Sequence, residues 1–193
     1  MDKYLFFSFN QNKIKEIKNL FSKSDISLYS PDSLGINTEP IENGKTFVDN
    51  AKIKSEYGFK ASKIACFSDD SGICIDAMKN MPGVKSKRFI DKFKDKEDCF
   101  NFIINKVKKN KNSYAYFKTS ICLTFGNNYN LFFEGKLEGR ISEKPYGKNG
   151  FGYDPIFIPM GYEITLAEMN LNEKNIISHR SIAIQKLLNF ITT

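Results

Sequence analysis

The spacing of apolar residues changes part-way along this chain, and the change limits what the chain can fold into. Through residue 109, short apolar runs alternate with segments whose apolar residues recur every three or four positions. From Tyr114 the period becomes two: Ala115, Phe117, Thr119, Ile121, Leu123 and Phe125 form one face of an extended segment. Residues 131–141 return after Gly126-Asn127-Asn128, which predicts a hairpin long enough to project from the body. Strand and helix in alternation, followed by a meander, exclude all-α and all-β architectures. They predict an α/β fold with a mixed, elongated sheet flanked by helices, split into two lobes.

The individual elements follow from local signals. Residues 4–9 are a short apolar and aromatic run, and Ile14, Ile17, Leu20 and Phe21 follow at helical spacing after a polar turn. A second strand is expected at 26–29, then a loop with two prolines at 31–44. Thr46-Phe47-Val48-Asp49 matches the capping pattern that opens a helix, here running to about residue 62. Residues 64–68 and 72–75 read as strand segments around an acidic turn, and 97–109 as a helix with Phe100, Ile103, Ile104 and Val107 inward. A glycine-rich loop at 147–154, a short strand at 156–158 and a closing amphipathic helix at 178–191 complete the chain. No internal repeat or linker interrupts it, so residues 1–193 are read as a single domain. A chain of this size buries roughly 70% of its unfolded surface and needs no disulfide or metal to fold.

With 41% hydrophobic and 26% charged residues the composition is globular, while a net charge of +7 invites a nucleic-acid reading. Only Arg88, Arg140 and Arg180 are arginines among 29 basic residues, however, and arginine is the residue that reads base edges and grips phosphates bidentately. A stable nucleic-acid partner is therefore not expected. Cys66, Cys74, Cys99 and Cys122 form no C-x-x-C pair and read as small buried hydrophobes in a reducing compartment. The apolar stretch near the N-terminus is too short for a signal or membrane span, so a cytoplasmic protein without a membrane partner is expected.

Five segments carry candidate chemistry. Ser8, Phe9, Asn10, Gln11, Asn12 and Lys13 lie where a strand feeds a helix, and a lysine at a helix start is favoured only beside an anion. That segment is either a phosphate site or an Asn-capped helix with a solvated lysine. On the next helix Phe47, Ala51, Lys54 and Gly58 fall within about 60° of one another, so Lys54 either snorkels outward or meets a buried anion. Ser68-Asp69-Asp70-Ser71-Gly72 ends an apolar run, with Glu42 available upstream. Neighbouring carboxylates on extended backbone point to opposite faces, so at most one of Asp69 and Asp70 aims at a given site. Such carboxylates near lysines suit magnesium, which takes one or two of them plus waters and substrate oxygens; the alternative is a capped polar turn. Gly150-Phe151-Gly152-Tyr153-Asp154 lets backbone approach a planar group on which Phe151 or Tyr153 stacks, unless these aromatics are core anchors. Finally Ser178 caps the last helix while His179 and Arg180 follow, with Arg180 at the wrong end of the dipole unless it recognises an acceptor.

In this order the segments resemble the inosine triphosphate pyrophosphatase family. The resemblance covers nearly the whole chain: Ser8-Phe9-Asn10 to Lys13; Glu42-Asn43-Gly44-Lys45-Thr46-Phe47 with Asn50-Ala51 and Lys54; Ser68-Asp69-Asp70-Ser71-Gly72; Pro82-Gly83; Gly150 to Pro155; Ala167-Glu168-Met169; Glu173-Lys174-Asn175; and Ser178-His179-Arg180. It implies a magnesium-dependent enzyme, with manganese as a substitute, that splits ITP, dITP and XTP between the α and β phosphates. It further implies a homodimer and a fold of two lobes with a nucleotide cleft between them. Carried over by position, Ser8 to Lys13 and Lys54 hold the triphosphate, and Glu42 and Asp70 hold the metal. Asp70 also accepts the proton of the attacking water, with Ser71 and Lys87 as substrate contacts. Phe151, Gly152, Tyr153 and Asp154 frame the base, while Lys174, His179 and Arg180 contact it.

Two positions depart from the family pattern. Phe9 stands where glycine is usual, and Tyr146 replaces a frequent arginine. Two rivals remain: a pyrophosphatase for another modified nucleotide, such as a methylated purine or modified pyrimidine, and a basic, non-enzymatic nucleic-acid binding protein.

Overall fold

A computed structural model describes residues 2–22, 24–126 and 129–192. The strands are β1 (Lys3–Phe6), β2 (Ser27–Tyr29), β3 (Ala65–Ile75), β4 (Met81–Pro82), β5 (Tyr114–Thr124), β6 (Asn130–Ile141) and β7 (Phe157–Pro159). The helices are α1 (Gln11–Phe21), α2 (Phe47–Ser62), α3 (Ser86–Ile90), α4 (Lys96–Asn110), α5 (Leu171–Ile177) and α6 (His179–Ile191). Among the described residues the strands form one mixed sheet in the order β2-β1-β3-β5-β6-β7, with β4 paired to β3. β1 runs parallel to both β2 and β3, whereas β4 and β7 pair antiparallel with β3 and β6.

The chain divides into two compact units, one comprising residues 1–70, 119–134 and 181–193, the other 71–118 and 135–180. Each of β3, β5 and β6 therefore gives one half to each unit.

In the first unit, alternation along β1 sends Tyr4 and Phe6 to one face and Leu5 and Phe7 to the other. The Phe6 side packs with Ile14, Ile17 and Phe21 of α1, Phe67, Ile121, Leu123, and Ala183, Ile184 and Leu187 of α6. Phe21 stacks on Phe67 with centroids 5.5 Å apart. The Leu5 side packs with Cys66 and the Tyr57 ring of α2. Each fully buried Leu, Ile or Phe here contributes about 1.5–3 kcal/mol. The helix from residue 47 forms as its capping signal predicts, with Thr46 accepting from Asp49 N–H and Asp49 accepting in return. Its stripe of Phe47, Ala51, Lys54 and Gly58 is buried.

In the second unit, Phe100, Ile103, Ile104 and Val107 of α4 face inward as expected, against Ile73, Ile75, Ala115, Phe117, Ile141 and Phe157. The four cysteines are buried and free, and burial pushes the Cys99 thiol up to about 11. Among the described residues no helix is long and apolar enough to cross a membrane.

Three expectations need correction. The acidic segment at 68–72 is no turn: β3 is continuous from Ala65 to Ile75, and Ser68, Asp69 and Asp70 are buried within it. Extended backbone survives there because two lysines and two neutral donors meet the carboxylates, as described below. The 119–124 stretch of β5 does not project from the first unit. Residues 119–124 of β5 are buried on both faces, with Ile121 and Leu123 in the α1–α6 core and Thr124 bonded to Ser55 of α2. Asn127 and Asn128 of the expected turn lie outside the described residues. The closing helix begins at His179 rather than Ser178 and is preceded by α5, which opens with a capping box between Asn170 and Glu173.

Candidate functional site

The first cluster is built by α1, α2, the loop before α2, and β3. Asn10 caps α1, its side chain accepting from the N–H groups of Asn12 (3.0 Å) and Lys13 (3.3 Å), while its own N–H donates to Ser8 Oγ. Asn10, Gln11 and Asn12 are exposed. Phe9 packs edge-on against Phe7, so the residue standing where glycine is usual belongs to a hydrophobic satellite of the core. Lys13 is not simply solvated: its Nζ lies 3.0 Å from the Asp69 carboxylate, whose side chain is fully buried.

Lys54 settles between its two alternatives by meeting anions. Its Nζ donates to the Asp69 carbonyl at 2.7 Å, pairs with Glu42 Oε1 at 2.9 Å and lies 3.8 Å from Asp70 Oδ1. Burial pulls its pKa down, but the carboxylates of Asp70, Glu42 and Asp69 outweigh that and hold it above the usual lysine value. Burial dominates at Asp70 and raises its pKa above the usual carboxylate range, with Lys54, Lys13 and the Asn50 hydrogen bond offsetting part of the effect and Glu42 adding to it. Glu42, Asp69 and Asp70 meet Lys13 and Lys54 in this cluster.

Asp69 and Asp70 take different partners, as neighbours on a strand must: Asp69 faces Lys13 and Thr119, Asp70 faces Asn50 and Lys54. Both nevertheless belong to the same cluster, because lysines from two helices reach them. Asn50 and Thr119 were missed as site residues. A signal existed for each: Asn50 precedes Lys54 by four positions on the buried stripe of α2, and Thr119 is the one polar member of an otherwise apolar face of β5.

The chemistry of the donor set is the test for a metal. Glu42 and Asp70 offer hard oxygen donors, both within reach of the Lys54 ammonium. Magnesium fits such a pair, because it completes its shell with waters and substrate oxygens rather than with an all-protein cage. Among the described residues no three His, Cys, Asp or Glu side chains converge into such a cage.

The second cluster lies wholly in the second unit. Asp154 organises it: its Oδ2 accepts from Phe151 N–H and from Lys174 Nζ, each at 2.7 Å. Gly150, at φ +70°, is obligatory there, since a Cβ would lie 2.1 Å from that oxygen. Lys174 Nζ and the Arg180 guanidinium stand 4.7 and 5.7 Å from the Phe151 ring centre. Arg180, 2% exposed, donates to Ser71 Oγ at 2.8 Å. His179 is buried and stacks on Phe117 at 4.8 Å. Tyr153 is a core anchor, buried beside Phe100 and donating to the Ser86 carbonyl, while Phe151 is half-exposed. Lys87 stands exposed on α3. Tyr146 is also exposed, covered by Lys144. Asp70 of the first cluster and Ser71 of the second are consecutive residues of β3.

Residues 4–190 match the model of the Ham1 family. The chain belongs to the Ham1 family. It is 40% identical over 190 residues to the dITP/XTP pyrophosphatase of Christiangramia forsetii, spanning 98% of this chain and 99% of that protein. It is 38% identical over 191 residues to the dITP/XTP pyrophosphatase of Flavobacterium johnsoniae, spanning 98% of each. Among solved structures it superposes on a HAM1 protein from Coxiella burnetii with a TM-score of 0.87 at 32% identity, covering 100% of this chain and 99% of that one. The Staphylococcus aureus Ham1 protein gives the same TM-score and identity, over 99% and 98%. The α/β fold with a mixed sheet is thus the Ham1 fold.

Proposed function

We propose that this protein hydrolyses ITP, dITP and XTP between the α and β phosphates, releasing the monophosphate and pyrophosphate and so clearing non-standard purines from the nucleotide pool. One observation carries the reading. Two successive residues of β3 serve two chemistries, Asp70 in a lysine–carboxylate cluster suited to phosphates and Ser71 in an arginine–lysine–aromatic cluster suited to a base. The names of the relatives support it.

Lys13 and Lys54, with the capped start of α1 from Ser8 to Asn12, bind the triphosphate, exchanging part of their carboxylate contact for phosphate oxygens. Glu42 and Asp70 hold magnesium, for which manganese substitutes. When bound, this ion supplies positive charge to the phosphate oxygens and the departing pyrophosphate. Asp70 takes a proton from the water that attacks the α phosphorus. The bond from the α phosphorus to the bridging oxygen breaks, and the oxygen leaves with pyrophosphate. Catalysis is mostly positioning and electrostatics.

Phe151 stacks on the purine, with Gly152, Tyr153 and Asp154 shaping its seat. Lys174, His179 and Arg180 aim donors at the 6-oxo group. A 6-amino group leaves these donors unpaired, which is the basis for rejecting ATP. Lys87 is a peripheral contact. The chain acts as one enzymatic domain, as a cytoplasmic homodimer without a membrane or stable nucleic-acid partner. The test is pyrophosphate release from ITP and XTP beside ATP and GTP, with and without magnesium. Release from no nucleotide removes the function, and equal turnover of all four removes the specificity.

A further inference from the structure

The carboxylates of the first cluster come from a loop and a strand, and neither alone fixes their separation. Asn50, fully buried on α2, ties the two together. Its Oδ1 accepts from Gly44 N–H at 2.8 Å, two residues after Glu42, and its Nδ2 donates to Asp70 Oδ2 at 3.0 Å. The amide orientation is unambiguous. A backbone N–H can only donate, so the amide oxygen faces Gly44 and the NH₂ group is left for the carboxylate. The approach is close enough that a Cβ on residue 44 would lie 2.5 Å from Asn50 Oδ1. The next two N–H groups of the loop, those of Lys45 and Thr46, are held by Asp49 Oδ2 at 3.1 and 3.0 Å. The first turn of α2 therefore fixes three successive peptide groups beside Glu42.

One turn further along the same face, Lys54 makes the matching pair of contacts, to Glu42 Oε1 and to Asp70 Oδ1. Residues at i and i+4 thus each join the loop to Asp70, one on each carboxylate oxygen. Their chemistry differs. Lys54 brings charge that competes with any cation for the same oxygens, whereas Asn50 brings none and orients the carboxylate without neutralising it.

We propose that Asn50 is the positioning residue of the Glu42–Asp70 pair, setting the spacing at which the two carboxylates accept a divalent cation. This rests on the function proposed above. The test compares wild type with Asn50→Asp, which keeps the acceptor for Gly44 and loses the donor to Asp70, and with Asn50→Ala, which loses both. Mn²⁺ binding is measured by electron paramagnetic resonance without nucleotide, and kcat, KM for ITP at saturating Mg²⁺ and the half-saturating Mg²⁺ concentration are measured with it. Removing a group that orients a metal ligand costs about 10–100-fold in metal affinity or activity. The expected result is weaker Mn²⁺ binding and a higher Mg²⁺ requirement by at least about 10-fold, lower kcat, and KM for ITP within about threefold of wild type, with the Asp variant folded. Wild-type Mn²⁺ and Mg²⁺ dependence in both variants overturns the assignment, as does failure of both to fold, which marks a purely structural residue. Absence of pyrophosphate release by the wild type is a different outcome: it overturns the functional reading on which this inference stands.

Discussion

At Asp70 the proposed function and the stability of the fold pull in opposite directions. Burial raises its pKa despite Lys54, Lys13 and Asn50, so the metal-free fold is more stable with Asp70 neutral than ionised. For an acid whose folded pKa lies above its unfolded value, the favourable contribution is complete below the unfolded value and is lost as pH rises through the folded one. Asp70→Asn is accordingly expected to abolish turnover while raising the thermal midpoint of the metal-free protein at neutral pH. The gain should shrink as pH falls into the carboxylate range. Calorimetry of both proteins across that range checks it, and a stability difference that grows on acidification contradicts it. The same residue explains part of what the sequence left hidden. A pair of acids between apolar runs resembles a turn, and partners distant in sequence, Lys13, Lys54, Asn50 and Thr119, make a buried strand of it. Local pattern carries no trace of such compensation.

At the scale of elements, α2 does most of the arranging. Its capping box fixes where it starts, its apolar stripe fixes which face is buried, and that face presents Asn50 and Lys54 together. Thr46→Ala removes the hydroxyl that accepts from Asp49 N–H and should cost about 1 kcal/mol of stability, read as a lower urea midpoint with an unchanged slope. An unchanged midpoint would mean that the packing of the stripe holds the helix start unaided. This helix was legible from sequence because cap and stripe agree over sixteen residues. The seven-residue α5 was not, although Asn170-Leu171-Asn172-Glu173 carries the same kind of cap, because it offers too few turns for periodicity to emerge. The β5–β6 hairpin was recognised, but the burial of its 119–124 stretch in the first unit was not. Alternation shows that a strand has two faces, and only tertiary packing shows that both are covered.

For the molecule as a whole, charge and chemistry divide together. The first unit has eleven basic and eleven acidic residues, the second eighteen basic and eleven acidic, so the second accounts for the entire net charge of +7. Ten of the basic residues between positions 85 and 111 are exposed. Such a field draws in a polyanionic nucleotide over distances on the order of the Debye length, about 8–10 Å at physiological salt. For the proposed reaction, kcat/KM should therefore fall as ionic strength rises while kcat changes little, in initial-rate measurements at constant free magnesium. A rate constant indifferent to salt would make the excess lysine a solvent-facing bias without kinetic effect. Most of the residues proposed for the base and the phosphates were identifiable in the sequence, because their motifs are local. Asn50 and Thr119 left only a faint pattern there, and what they and the Asp69 carboxylate hold emerges once distant segments meet. The most direct test of the account remains the release of pyrophosphate from ITP, XTP, ATP and GTP by the purified protein with and without magnesium. Magnesium-dependent release from ITP and XTP at least about a hundredfold faster than from ATP is expected; release at equal rates from all four, or none from ITP and XTP, would contradict the proposed function.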